Sequence, residues 1–450
     1  MLQRSRLQAF WYKVDSSFWF RPTLMVLAAI ALAVTTLALD DFLEDKVLTR
    51  IPLIYGGGPE AAQTILSTIG SSMVNVVSVT FSITIVALSL ASTQFGPRLL
   101  NNFMRDESNQ YVLGFFVATF IYCLLIIRAI RVDEIFIPHL SVTIGIILAI
   151  TAFFVLIYFI HHIASSIKAE TLVHIVDKEL VKTIEQLCPK PIDASTEEPE
   201  PVPDLPEDFE ENSAVAPALE HGYLQALEID GLVRLAKEKD LIFVLAYKPG
   251  EYIVQGTPLL RAWPRTSLNR DVVKNVNDQF VIGSMRTPFQ DLEYAIHQLV
   301  EIALRALSPG INDTFTALGC IDRLGSALAL LARRRMPHIA HRDDSGRLRV
   351  ITHANTFAGA MNAAFNAIRQ NSAHNAAVTI RMLEVLQAVA VFVRTSERKE
   401  SVRRHADMIL RAAERNLPED DDRADVRRRY DELLQMLKRP GIKKSGSVDA

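Results

Sequence analysis

Cysteine is scarce in this chain. Cys123, Cys188 and Cys320 are all that 450 residues contain, and they stand far apart. There is no CxxC and no Cys/His metal spacing, so neither a disulfide framework nor a metal motif is implied. Catalytic signatures are missing too. His297, His338, His341, His353 and His374 are scattered without an HExxH spacing, and Ser308 is followed by proline, outside any GxSxG elbow. With no nucleophile beside a base, the chain is not expected to be an enzyme, and no cofactor is expected. The net charge of −3 gives a nucleic-acid partner no electrostatic support. Gly56-Gly57-Gly58 lacks the lysine and Ser/Thr of a phosphate-binding loop; with Pro59 and Glu60 behind it, it reads as a flexible turn that opens a helix.

The most informative absence is of charge. Residues 64–93, TILSTIGSSMVNVVSVTFSITIVALSLAST, carry none and are long enough to cross a bilayer. At 100° per residue, Thr64, Ser67, Ser71, Asn75, Ser78, Ser82, Ser89 and Thr93 fall in one arc roughly 80° wide. Ile85 fills the gap in that arc. Ile65, Ile69, Met73, Val76, Ile83, Ala87 and Leu90 lie on the opposite face and suit lipid. Two readings of the hydroxyl ladder stay open. One is helix packing, with hydroxyls bonded back to their own turns; the other is a wet wall, with several copies of the helix around a pore.

Four spans are expected, at 22–39, 64–95, 111–130 and 138–160, behind an N-terminal arm 1–21 that holds the interfacial anchors Trp11, Trp19 and Phe20. The arm is basic, and no small-residue cleavage site follows it, so the first span is expected to be retained. The Lys/Arg bias places the arm, the Arg98/Arg105 loop and the segment after His162 on the cytoplasmic side, and Asp40, Asp41, Glu44 and Asp45 outside. Both termini are then cytoplasmic. Arg128 and Arg131 disobey the rule. They are either outer pore-mouth charges or, more simply, an interfacial cluster with Asp133 and Glu134.

Beyond the spans the chain reads as a connecting helix 161–188, then an acidic, Pro-rich linker 189–217. A small β module follows at 218–265, in which Gly250 and Gly256 bracket a short strand. That hairpin is similar to those of barrel-sandwich carrier domains, but no lysine stands at its tip between Glu251 and Gln255. It is therefore read as a non-carrying, barrel-like module, with an ordinary small β subdomain as the alternative. Residues 266–437 form a helical domain with helices near 291–307, 315–335, 356–370, 376–394, 397–415 and 420–437, and a charged loop at 337–349. A basic tail, 438–450, is expected to be disordered. In the helical domain Arg286 precedes Asp291, and Arg305 precedes Asn312-Asp313, each near a helix end. Two guanidinium groups at a helix N-terminus suit an anion. The simpler reading is ion pairs with Asp291, Asp313 or Glu301 that fix two helices.

Three stretches also carry a resemblance: SVTFSITIVALSLASTQFGPRLL, GEYIVQGTPLL and RTPFQDLEYAIHQLVEIALRALSPGINDTFTAL. They resemble the signature segments of domain-of-unknown-function family 2254, predicted bacterial membrane proteins. The likeness runs from the first span to about residue 435, and SPGIND is its most specific part. It implies a bacterial inner-membrane protein and supplies no functional residues.

The reading is an α-helical membrane domain of four transmembrane helices joined to a cytoplasmic α+β region, the latter a small barrel-like β module and a helical bundle. Its leading function is a homo-oligomeric, weakly selective ion channel. Ser67, Ser71, Asn75, Ser78, Ser82, Ser89 and Thr93 would line the pore, Ile85 would constrict it, and Arg98, Arg128 and Arg131 would sit at its mouths. Its partners are then the lipid bilayer, further copies of the chain and ions. The alternative is a membrane-anchored scaffold or sensor for a cytoplasmic protein, in which the hydroxyl arc packs against the other spans of its own chain. A secondary transporter is weaker still, since neither inverted repeats nor mid-membrane charges are present.

Overall fold

The computed structural model describes residues 19–42, 54–95, 107–130, 137–166, 168–192, 204–353 and 355–438. The chain divides into two compact units with the boundary between residues 171 and 172.

Among the described residues the first unit has four long helices, α1 (Phe20–Phe42), α2 (Pro59–Phe95), α3 (Glu107–Ala129) and α4 (His139–Ser166). Each is longer than its predicted span, and α2 gains a turn at its start because Pro59 suits the first helical position. Helix α3 is the hub and packs against the other three. Two apolar layers show the order. In one, Ala29 and Ala33 of α1 meet Ala62 and Leu66 of α2, Tyr122 and Ile126 of α3 and Val142 of α4. In the other, Met73 and Ala87 of α2 meet Val112 and Phe116 of α3 and Ala152 and Phe159 of α4. Helices α2 and α4 therefore run opposite to α3, in an up-and-down bundle. Close approach depends on missing side chains. A Cβ at Gly114 would lie 2.7 Å from Met25 Sδ, and one at Gly145 2.8 Å from a Leu66 methyl.

The connecting segment is not one helix with α4. Helix α4 ends at Ser166 and α5 (Ala169–Leu187) starts anew, with Lys168 N–H donating to Ser165 O at the break. In the second unit the expected linker 189–217 also ends early. A turn of helix, α6 (Phe209–Asn212), and strand β1 (Ala214–Pro217) already belong to the fold. Phe209 is buried beneath Arg261, and Trp263 Nε1 donates to Asp208. There follow β2 (Gly222–Leu227), α7 (Ile229–Glu238), β3 (Ile242–Leu245), β4 (Tyr252–Ile253), β5 (Pro258–Trp263), α8 (Arg270–Asn277) and β6 (Phe280–Gly283). Then come α9 (Leu292–Ala306), α10 (Thr314–Leu331), β7 (Ala340–Arg342), β8 (Leu348–Ile351), α11 (Phe357–Asn371), α12 (Ala376–Ala390), α13 (Ser396–Asn416) and α14 (Asp420–Lys438).

The β region is larger than the 218–265 module and has a different form. Its strands make two open sheets, β1-β5-β3-β8-β7 and β4-β2-β6, rather than a closed barrel. The stretch read as a charged loop at 337–349 is mostly hairpin. Strand β8 pairs parallel with β3 through Phe243↔Val350, and Val350 is fully buried in the same core as Phe243 and Leu260. Gly250 and Gly256 do bracket β4, both with positive φ. A Cβ at Gly250 would collide with the Asp291 carboxylate, so the missing side chain lets this turn lie close against the start of α9.

Helices α9 to α14 pack as a bundle through the pairs α9·α11, α10·α12, α11·α13 and α12·α14. Among the described helices five are long and apolar enough to cross a membrane. The fifth, α10, is half buried and packs against α9 and α12.

Candidate functional site: an outward-facing polar stripe

Helix α2 owes its two faces to sequence period alone. Ala62, Leu66, Met73 and Ala87 are buried against α3 and α4, with Ile69, Val76 and Ile83 half-buried beside them. The expectation that Ile69, Met73, Val76, Ile83 and Ala87 face lipid is thus corrected: this side is the bundle contact, because apolar volume is what fills the gap against Phe116 and Phe120. The hydroxyl arc points the other way. Thr64, Ser67, Ser71, Asn75, Ser78, Ser82, Ser89 and Thr93 are all exposed in the protomer, as is Ile85 at 50 %. Thr68 and Ser72 widen the exposed polar strip in its first half, whereas Val79, Phe81, Val86 and Leu90 flank it in the second.

The outer faces of the neighbouring helices are of another kind. Helix α1 exposes Leu24, Leu27 and Val34, and α4 exposes Ile147, Ile150, Phe153, Phe154 and Ile157. Along α2 four of the stripe's seven hydroxyls donate back to the helix itself. Thr64 donates to Glu60 O at 2.8 Å, Ser78 to Val74 O at 3.0 Å, Ser82 to Ser78 O at 2.8 Å and Thr93 to Leu90 O at 2.9 Å. Those four turn oxygen lone pairs outward, while Ser67, Ser71, Ser89 and the Asn75 amide offer donors as well as acceptors.

Of the mouth residues, Arg128 is exposed in the last turn of α3. Arg98 and Arg131, with Asp133 and Glu134, lie outside the described residues.

The two arginine stretches resolve differently. Arg286 grips Asp291, Nε to Oδ2 at 2.8 Å and Nη2 to Oδ2 at 2.7 Å, while the other carboxylate oxygen caps α9 at Tyr294 N–H. Burial pushes the Asp291 carboxyl up, and Arg286 opposes that. This is an ion pair that fixes a helix start. Asp313 caps α10 through Thr316, and the hydrogen bond from the Thr316 hydroxyl holds its carboxyl below the usual range. Asn312 takes a left-handed φ of 50° in the α9–α10 connection, and Ser308 Oγ donates to the Arg305 carbonyl at 2.6 Å. The stretches sit at opposite ends of α9, so they do not converge on one anion. Sequence reasoning missed a different convergence. His338, His341 and His353, read as scattered, line one cleft because the β7–β8 hairpin folds 353 back beside 338 and 341.

The family model described as "Predicted membrane protein (DUF2254)" matches residues 15–388. The chain belongs to this family. The match takes in all of α1 to α4 and most of the second unit, and ends short of the residue 435 suggested by the signature segments. The uncharacterized protein Rv1290c of Mycobacterium tuberculosis H37Rv is 32% identical over 397 residues, covering 86% of this chain and 75% of its own. The uncharacterized protein Mb1321c of Mycobacterium bovis matches to the same extent. No solved structure matches. Family membership and the apolar helices together make the chain a multi-pass membrane protein.

Proposed function

We propose that this DUF2254 protein is a homo-oligomeric, weakly selective ion channel whose pore wall is α2. The observation that carries the reading is the direction of the polar stripe: it is turned away from α1, α3 and α4, the other described helices of its own unit. An amide such as Asn75 left against hydrocarbon without a partner costs roughly 2–7 kcal/mol, so this face needs water or another protein. From residue 64 to 93 the stripe is roughly 44 Å long, more than the roughly 30 Å of hydrocarbon it would have to cross. A single packing contact does not need so much.

On this reading α1 to α4 are the four spans, both termini are cytoplasmic, and the membrane is the bacterial inner membrane. Uncharged hydroxyls discriminate weakly among ions. Ser67, Ser71, Asn75, Ser78, Ser82, Ser89 and Thr93 line the wall, Ile85 with its flanking Phe81 and Val86 forms an apolar narrowing, and Arg98, Arg128 and Arg131 sit at the mouths. The cytoplasmic unit assembles or gates the subunits. The scaffold reading needed the arc to be packed inside its own protomer, and the exposed arc does not favour it.

The test is ion flux from liposomes containing the purified protein, under salt gradients and membrane tension. Wild type should conduct, and Ser82→Asp should change both rate and cation preference. No flux under any condition, or a Ser82→Asp variant indistinguishable from wild type, contradicts the reading.

A further inference from the structure

A cleft of about 1360 Å³ opens within the second unit, beyond the roughly 300–1,000 Å³ of ordinary small-ligand pockets. One wall is the outer face of α7, a second is the β7–β8 hairpin with the residues on either side of it, and the end of α5 closes a third side. Leu227, Ile229, Val233 and Pro249 give it an apolar part.

The charges on these walls are unevenly committed. Lys237 is paired with Asp344 at 2.9 Å. Asp343 accepts from the Ser345 hydroxyl and from Arg349 at 2.7 Å, which hold its carboxyl well below the usual range. Arg234 on the helix and Arg342 on the hairpin have no carboxylate partner among the described residues; Arg342 donates only to the Gly346 carbonyl at 3.1 Å. Asp230 and Glu238 stand one turn to either side of Arg234. His338, His341 and His353 complete the rim, and His341 is fixed by a 3.2 Å hydrogen bond with Thr352 Oγ1.

This combination is chemically specific. Apolar side chains and imidazoles lining one cleft suit the face and edge of a planar heterocycle. Guanidinium groups from two elements of one lining, the helix and the hairpin, suit a phosphate. Carboxylates beside them suit sugar hydroxyls, as acids do in dinucleotide sites. We propose that this cleft binds a nucleoside phosphate, with Arg234 and Arg342 on the phosphates, Asp230 on the ribose and the three histidines about the base. The proposal does not depend on the pore, because binding is measured without flux.

The experiment is calorimetry on the full-length protein in detergent with ATP, GTP, CTP and UTP in turn, and with adenosine and tripolyphosphate as controls. At least one nucleotide should bind saturably. Arg234→Gln and Arg342→Gln should each weaken it roughly tenfold, as for loss of one charge-assisted contact. Both arginines are exposed, so melting temperatures should match wild type; His338→Ala, exposed on the other wall, is a further variant should either arginine change fail to fold. No saturable binding of any of the four at millimolar concentration overturns the proposal. So does tripolyphosphate binding as tightly as the nucleotide, or a nucleotide affinity unmoved by the arginine changes.

Discussion

Asp40 stands near the C-terminal end of α1, and its buried carboxylate receives the Leu140 N–H at 2.8 Å, the Ser141 N–H at 2.9 Å and the Ser141 hydroxyl at 2.6 Å. It thus caps α4 from another helix, where unpaired N–H groups favour negative charge. Asp40→Ala should lower the stability of the membrane unit by about 1–2 kcal/mol, the usual cost of a lost cap, read as a lower melting temperature in detergent; an unchanged melt would mean the cap carries no weight. In the second unit the telling residue is His405. Burial, with Arg404 and Arg369 adding, brings its imidazole down to about 4, while Nε2 is bonded to Asn362. The unfolded chain takes up a proton near 6.5 that the folded one refuses until about 4. Stability from this group is therefore complete above about pH 6.5 and lost as pH falls towards 4, by about 3 kcal/mol in all. In denaturant melts, the stability of wild type should drop relative to His405→Leu by about 3 kcal/mol as pH falls through that window. Parallel curves would contradict the assignment.

At the scale of elements, α2 was legible and the β7–β8 hairpin was not, for one physical reason. The stripe on α2 follows from a 100° turn per residue, a local property that thirty residues declare without help. The hairpin is written HRDDSGRLR, charged and unremarkable. Its strand character comes from pairing with β3, about a hundred residues earlier, and burying Val350 there. The same distance hid the meeting of three histidines in one cleft. Periodicity showed that α2 has two faces, but not that the apolar one is the packing face; only α3 and α4 decide that. Along the stripe, polar groups surround the first half, and Phe81, Ile85 and Val86 crowd the second. If this is where water can be expelled, Ile85→Ser should raise resting flux by roughly tenfold, equivalent to about 1.4 kcal/mol off the barrier. Flux equal to wild type would move the narrowing elsewhere.

At the scale of the whole molecule, the described bundle joins α1 and α4, whose outer faces are apolar, to α2, whose outer face is polar. On the proposed channel reading, a ring of copies would supply both water for the stripe and contacts through the apolar flanks at Val74, Val79 and Leu90. The native thiols make a direct measurement practical, since Cys123, Cys188 and Cys320 are all buried. Single cysteines placed along α2, in protein reconstituted into bilayers, can be exposed to a membrane-impermeant thiol reagent. The account predicts labelling at Ser71→Cys, Asn75→Cys, Ser78→Cys and Ser82→Cys and none at Leu66→Cys, Met73→Cys or Ala87→Cys. Labelling absent from the whole stripe while the protein remains folded would contradict it, because water would then not reach the wall.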